Sequence, residues 1–402
     1  MTLIRGRTAC VMLLCFAVAF GLRLRTDVLR PGGPHWDEPA DHHKYLYIAE
    51  HPLGSFHIQP TCWRIAVPLL AKVLPFSIYR NFDILSVFFV GLSGCMLYLW
   101  LLAIPVNPPR ALLGVLMYYC LGGVSKGLLW GVTSPDPASF FFILLALYAI
   151  YRENDFLCAV ALMAGVLAKE TVLLAAPLHY TLRAASLWDY RRFKRLVLVC
   201  APCVCALAAV RILIPAWNDR DDYVRSLPFI YTQVSAGMVK YDLLTAFRGT
   251  MASYAQLSPI NLLRAVSYGT LGIHLFLPFF SPEANRNPLL RWTPYWLPTL
   301  LSMLIALNPE RRVSALFPML IVLGLNGMDA LADILRLETR HSQVLFGLLL
   351  SPLLLKKDVT IVPFDIVAAV FLCWLCFVVA RFQRLPSPAL SKTRPLYPAD
   401  LR

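Results

Sequence analysis

An all-α bundle of membrane-spanning helices is the fold class this chain predicts, and three observations carry it. Hydrophobic residues make up 58% of the 402 positions and charged residues 15%, whereas a soluble domain carries about 25% charged residues. Mean hydropathy is +0.62, too apolar for a soluble domain of this length to cover itself with polar surface. Finally, apolar runs long enough, or nearly long enough, to cross a bilayer recur along most of the chain, divided by short charged or proline-containing turns.

The first run, Thr8 to Leu22, lies between Arg5 and Arg7 on one side and Arg23 and Arg25 on the other. A cleaved signal peptide is the alternative. No small-residue cleavage site followed by a polar mature domain is evident, so the run reads as a retained signal anchor. Further runs fall at about 83–104, 111–130, 138–151, 156–169, 171–185, 195–215, 261–280, 293–307, 313–327, 343–355 and 361–380. Several are shorter than the roughly 20 residues of a normal span, so about ten to thirteen spans are expected. No internal repeat of the inverted transporter kind stands out.

Two longer polar stretches interrupt the pattern, at about 24–82 and 216–260. In the first, Tyr45–Ala49 and Trp63–Leu74 are too short to span and suit amphipathic helices lying in the interface. The segment Asp221–Phe247 has the same mix of aromatic residues and charge. Residues 1–384 are expected to form one transmembrane domain, and the proline- and serine-rich residues 385–402 a disordered cytoplasmic tail.

The net charge of +14 is compatible with nucleic-acid binding only if the basic residues cluster on a soluble domain. Here they sit in short loops between apolar runs, which is membrane-flanking charge, and no nucleic-acid partner is expected. A cytoplasmic N-terminus puts the basic segment Trp188–Arg195, Arg336, Arg340 and the tail on the cytoplasmic side. The two long loops then lie outside, where they hold many arginines too, but short loops weigh most in setting orientation. Of the 11 cysteines, the CxxC pairs Cys200/Cys203 and Cys373/Cys376 lie inside predicted membrane helices. They read as small apolar fillers, since redox and zinc sites need accessible thiolates. Cys62 is alone in its loop, so no structural disulfide is expected there.

The charges that could carry chemistry collect at the outer ends of the runs. The stretch His35-Trp36-Asp37-Glu38-Pro39-Ala40-Asp41-His42-His43-Lys44-Tyr45 follows the first span directly. Asp41, Tyr45 and Ala49 share one face of a helix, and a carboxylate held at the membrane surface can take a proton from a hydroxyl nucleophile. Solvated loop charge is the bland alternative. Asp136, in Thr133-Ser134-Pro135-Asp136-Pro137, falls in a short outer turn, where an N-cap role is equally natural. Lys169-Glu170 divides two apolar runs. Ionisable groups at such depth are functional or paired, and a local Lys169–Glu170 ion pair is the structural alternative. Arg311-Arg312, in another outer turn, would suit a phosphate bound bidentately, with snorkelling to lipid headgroups as the alternative. His35, His42, His43, His51 and His57 are dense near Asp41, but no HxH, HExxH or DxD spacing supports a metal, and none is expected. No P-loop, dinucleotide fingerprint or serine-nucleophile elbow is present.

Taken in order, these places resemble the GT-C glycosyltransferases, polytopic enzymes that move a sugar from a polyprenyl-phosphate donor to an acceptor outside the cytoplasm. That family opens its first outer loop with an acidic pair, then x-x-Tyr and Ala. Here Asp41-His42-His43-Lys44-Tyr45-Leu46-Tyr47-Ile48-Ala49 matches, with His42 where Glu is common and a true acidic pair, Asp37-Glu38, four residues early. Trp63-Arg64-Ile65-Ala66-Val67-Pro68-Leu69-Leu70-Ala71 is similar to a segment of some bacterial members. Asp136-Pro137, Leu167-Ala168-Lys169-Glu170-Thr171 and the arginine turn before Leu316-Phe317-Pro318 also resemble family motifs. The likeness spans about residues 8–327.

The resemblance implies an inverting transferase in which Asp41, or Asp37 in its place, is the general base. Asp136 would orient a sugar, while Arg311, Arg312 and Lys169 hold the phosphate. Tyr45, Glu38, His42, Arg64 and Glu170 would line the substrate site. It implies a polyprenyl-phosphate sugar as donor, and a glycan, lipid or protein as acceptor, with membrane lipids as surroundings and no cofactor. The expected setting is a bacterial inner membrane with the site facing the periplasm, or else the endoplasmic reticulum membrane. A transporter or lipid flippase, or a non-catalytic subunit of a membrane assembly, is the competing expectation. A transporter would carry its ionisable groups nearer mid-membrane, where only Arg211 and Asp365 stand out here.

Overall fold

The computed structural model describes residues 2–26, 31, 41–104, 106–123, 128–183, 188–216, 243–256, 277–305, 313–338, 341–344, 346, 347 and 350. The expected span at 361–380, most of those at 343–355 and 261–280, most of the second long loop and the whole tail lie outside the described residues, as does Asp365.

Every regular element among the described residues is helical, with no strand. In chain order the α-helices are α1 (Thr2–Arg25), α2 (Asp41–Glu50), α3 (Ala66–Val73), α4 (Ile78–Ala103) and α5 (Pro108–Cys120). Then come α6 (Asp136–Tyr151), α7 (Asp155–Ala168), α8 (Leu178–Thr181), α9 (Tyr190–Leu213) and α10 (Leu243–Gln256). The last three are α11 (Pro282–Arg291), α12 (Thr293–Leu301) and α13 (Phe317–Ile334). Among the described residues four stretches are long and apolar enough to cross a membrane, Thr8–Arg25, Ile78–Ala103, Tyr190–Leu213 and Phe317–Ile334, beside the shorter apolar helices α6 and α7. The described part of the chain is thus all-helical, with the long apolar helices of a membrane protein.

Burial sorts these spans into inner and outer ones. The most apolar windows of α4 and α13 are 72% and 78% buried, those of α1 and α9 only 17% each. Around α4 and α13 the core is aromatic. Phe317 packs on Phe140 and Tyr118 with ring centroids 4.9 and 5.2 Å apart, and Trp100 meets Trp292 edge-on at 6.0 Å. Leu13, Leu14 and Phe20 of α1 and Val197, Leu198 and Ile212 of α9 are exposed, as side chains facing lipid would be. Arg23 near the end of α1 forms a two-pronged ion pair with Asp83 near the start of α4, which sets those two helices antiparallel.

The hairpin of α6 and α7 positions the candidate site. It reverses through Glu153, which adopts φ 54, and Asn154, whose side-chain oxygen caps α7 by accepting from the Leu157 N–H at 2.9 Å. The helices are 16 and 14 residues long, about 24 and 21 Å, so Asp136 and Lys169 return to the same end.

Beyond Lys169 the expected span at 171–185 is instead a 3-10 helix, Glu170–Ala175, then a turn and the single-turn α8. Pro177 lacks an N–H and cannot continue a helix. Irregular backbone at membrane depth survives only inside protein, and Val172, Ala175 and Leu178 are fully buried. Gly165 permits this return: a Cβ there would come 2.5 Å from the Val172 side chain. The run at 111–130 also breaks, with α5 ending at Cys120 and Leu121 extended.

Candidate functional site

The first loop folds onto the end of the bundle through helices at two expected places. Along α2 the Asp41, Tyr45, Ala49 periodicity is realised: Tyr45 and Ala49 are buried. Asp41 begins α2, and its side chain lies outside the described residues, as do Asp37, Glu38, Arg311 and Arg312 entirely. A separate apolar cluster holds the loop down, with Phe56, Ile58 and Cys62 meeting Phe82 of α4 and Val210 of α9. Asn81, fully buried, donates through its amide to the carbonyls of Ala71, Leu74 and Phe76 at 2.8 to 2.9 Å, tying the α3–α4 turn. Trp63 Nε1 donates to the Ile214 carbonyl at 2.9 Å, and the Arg211 guanidinium sits 4.5 Å from the centre of the Trp63 ring. Arg211, read from sequence as deep, therefore belongs to this surface.

Arg64, just after the 3-10 turn Thr61–Trp63, joins loop to hairpin. It is 6% exposed. Its Nη1 donates to the Tyr45 hydroxyl at 2.9 Å and its Nε to Glu170 Oε2 at 2.9 Å, while Nη2 pairs with the other Glu170 oxygen. Such bidentate pairing is the strongest geometry an arginine offers a carboxylate. Burial pushes the guanidinium pKa down, but the Tyr45 oxygen and Glu170 outweigh it, and the net shift is well upward. Burial likewise raises Glu170, yet Arg64 and then Lys169 overcome it and hold the carboxyl down at about 2.

Lys169 and Asp136 form a second pair beside the first, buried with each residue 5% exposed, where Glu170 keeps 31% of its side chain exposed. Ser134 Oγ donates to Asp136 Oδ2 at 2.8 Å, and the Asp136 backbone carbonyl accepts from Ser139 Oγ at 2.8 Å. Two expectations are corrected here. Lys169 and Glu170 do not make a local pair, because Lys169 leaves α7 in an extended conformation, φ −162 and ψ 130, which turns successive side chains to different sides. Asp136 is not an N-cap either: Pro135 holds that position and Asp136 is the first residue of α6, where its charge still favours the helix dipole.

The structure thus brings Tyr45, Arg64, Asp136, Lys169 and Glu170 together, from four separate stretches of chain. His42 and His43 are also buried on α2, with ring centroids 3.9 Å apart. His51 stacks on Tyr47 at 3.8 Å and His57 Nδ1 lies 2.8 Å from the Pro215 carbonyl. His35 is outside the described residues. No group of three His, Cys, Asp or Glu residues that could hold a metal occurs among the described residues. Cys62 is a buried free thiol, its pKa pushed up to about 12 chiefly by burial.

Sequence reasoning missed Ser134 and Asp83. It also missed a second charged knot at the far end of the hairpin, where Asp155, His179 and Arg183 meet. An arginine inside an apolar run was the available signal for that knot.

No family model matches the chain, and no curated protein matches it.

Proposed function

We propose that the chain is a GT-C-like membrane glycosyltransferase acting at the end of the bundle capped by the first loop. One observation supports the reading most: five side chains from four separate stretches, four of them buried and Glu170 half-buried, converge in a polar cluster at the helix that Asp41 begins. Taking charges out of water costs several kcal/mol per ion before their attraction repays it; Arg64, Lys169 and Asp136 are buried and the Glu170 side chain is 31% exposed, and a fold seeking only stability has cheaper apolar choices.

In the proposed mechanism a polyprenyl-phosphate sugar approaches from the lipid. Asp41, or Asp37, accepts the proton of an acceptor hydroxyl while that oxygen bonds to the anomeric carbon from the face opposite the phosphate. The carbon–phosphate-oxygen bond breaks, the configuration inverts, and the phosphate keeps the electron pair. Arg311, Arg312 and Lys169 stabilise the developing charge, a role worth roughly 3–4 kcal/mol for one well-placed donor. An ammonium carries three N–H donors and can bridge Asp136 and a phosphate oxygen. Arg64 holds Tyr45, and with it α2 and Asp41, in place against Glu170. The helices of the first loop would lie in the interface, on the periplasmic side of a bacterial inner membrane, or the lumenal side in the endoplasmic reticulum alternative.

A panel of labelled polyprenyl-phosphate sugars, offered with membrane extract as acceptor to purified wild type and Asp41→Asn, tests the reading. Transfer by wild type and not by the variant is expected. No transfer or donor hydrolysis by folded wild type with any donor would overturn the enzyme in favour of a transporter or a non-catalytic subunit.

A further inference from the structure

The start of α9 is unlike the rest of the bundle surface. Arg191, Lys194 and Arg195 lie within an arc of about 100° on the helix, all exposed. The neighbouring carboxylates are otherwise engaged. Asp189 caps the helix by accepting from the Arg192 N–H at 3.1 Å, and Glu153 lies 3.9 Å from the Arg192 guanidinium. Beside the bases stand three exposed aromatics: Trp188 is 94%, Tyr190 79% and Phe193 53% exposed. One turn further on, the exposed side of the helix is apolar, with Val197 and Leu198 uncovered, and it stays so two turns later at Val204.

A surface that changes from cationic and aromatic to wholly apolar within one turn matches the boundary between headgroups and hydrocarbon, where Trp and Tyr rings settle. We propose that this end of α9 is a docking surface for anionic phospholipid headgroups. Arg191, Lys194 and Arg195 bind the phosphates, Trp188 and Tyr190 sit at the level of the glycerol, and Val197 and Leu198 meet the acyl chains. The partner is a lipid rather than a soluble protein because the basic patch continues without interruption into the lipid-facing side of a span. It follows that this end faces the leaflet richer in anionic lipid, with the first-loop cluster on the opposite side. The inference is independent of the transferase reading.

Native mass spectrometry of the full-length protein, equilibrated with equimolar phosphatidylglycerol and phosphatidylcholine, tests it. Wild type should retain phosphatidylglycerol preferentially. R191Q/K194Q/R195Q should lose that preference, with affinity for phosphatidylglycerol falling on the order of a hundredfold for three charges. R191K/R195K, which conserves charge, and K72Q/R80Q, which removes two exposed charges at the other end, should keep it. Excess glycerol 3-phosphate should not displace the lipid. Equal retention of the two lipids by wild type, an unchanged preference in the triple variant, an equal loss in K72Q/R80Q, or displacement by glycerol phosphate would each overturn the proposal.

Discussion

The two ends of the α6–α7 hairpin both bury charge, and they use it differently. At the far end Arg183 donates from Nε to the Ile150 carbonyl at 2.7 Å and from Nη2 to the Ala149 carbonyl at 3.2 Å. These belong to the last turn of α6, where the carbonyls also accept from the Glu153 and Asn154 N–H groups of the turn, at 3.2 and 3.0 Å. Its Nη1 meets Asp155 Oδ1 at 2.6 Å, and His179 Nε2 lies 2.9 Å from the same oxygen. All these groups lie between residues 149 and 183, and two of the three guanidinium nitrogens are spent on the carbonyls of a helix end. At the near end the cations hold carboxylates rather than helix ends, and they link the first loop to the hairpin across more than one hundred residues of chain in the case of Arg64 and Glu170. Buried charge alone therefore does not distinguish the proposed site; the near end differs in the long-range Arg64–Glu170 link and in cations that pair with carboxylates rather than cap a helix.

That contrast can be broken at several strengths. The largest effect belongs to Asp41→Asn. Loss of a general base should lower turnover by roughly 10²–10⁴-fold, with the melting temperature close to wild type, since the change removes little volume. A comparable loss in Asp37→Asn with Asp41→Asn unaffected would move the base and keep the site. Next comes Lys169→Met, which leaves Asp136 buried without its cation. Unfolding free energy should fall by about 3–5 kcal/mol, and Asp136→Asn/Lys169→Met should recover much of it, measured by denaturation in detergent. Arg183→Ala at the far end should cost less, about 1.5–3 kcal/mol for charged hydrogen bonds, and should leave transfer per folded molecule unchanged.

Acid should produce the mildest change. Glu170 is held near 2 against an ordinary 4.5, so its contribution is complete above about pH 4.5 and fades as pH falls toward 2. Protease protection of the first loop should weaken across that window in wild type, and Glu170→Gln should show no such acid step.

Much of the fold was legible because a span announces itself by composition. The runs at 83–104, 138–151, 156–169 and 195–215 became α4, α6, α7 and α9 with ends moved by a few residues. Where periodicity and composition were silent, the sequence misled. The run at 171–185 is apolar enough to span, but Pro177 and the extended Lys169 make it a folded-back 3-10 segment. The polar α11 carries no apolar run to reveal it. In the site, residue types were legible as ionisable groups at apolar boundaries, and their partners were not. Adjacent Lys169 and Glu170 looked like a couple, and only the backbone angle at Lys169 sends one to Asp136 and the other to Arg64.

The most direct test of the difference between the ends is sugar transfer per folded molecule in Asp136→Asn/Lys169→Met beside Asp155→Asn, each checked for folding. The account predicts that the first variant folds and loses transfer while the second keeps it. Wild-type transfer by a folded Asp136→Asn/Lys169→Met would contradict it, and would make the near cluster, like the far one, a device of the fold.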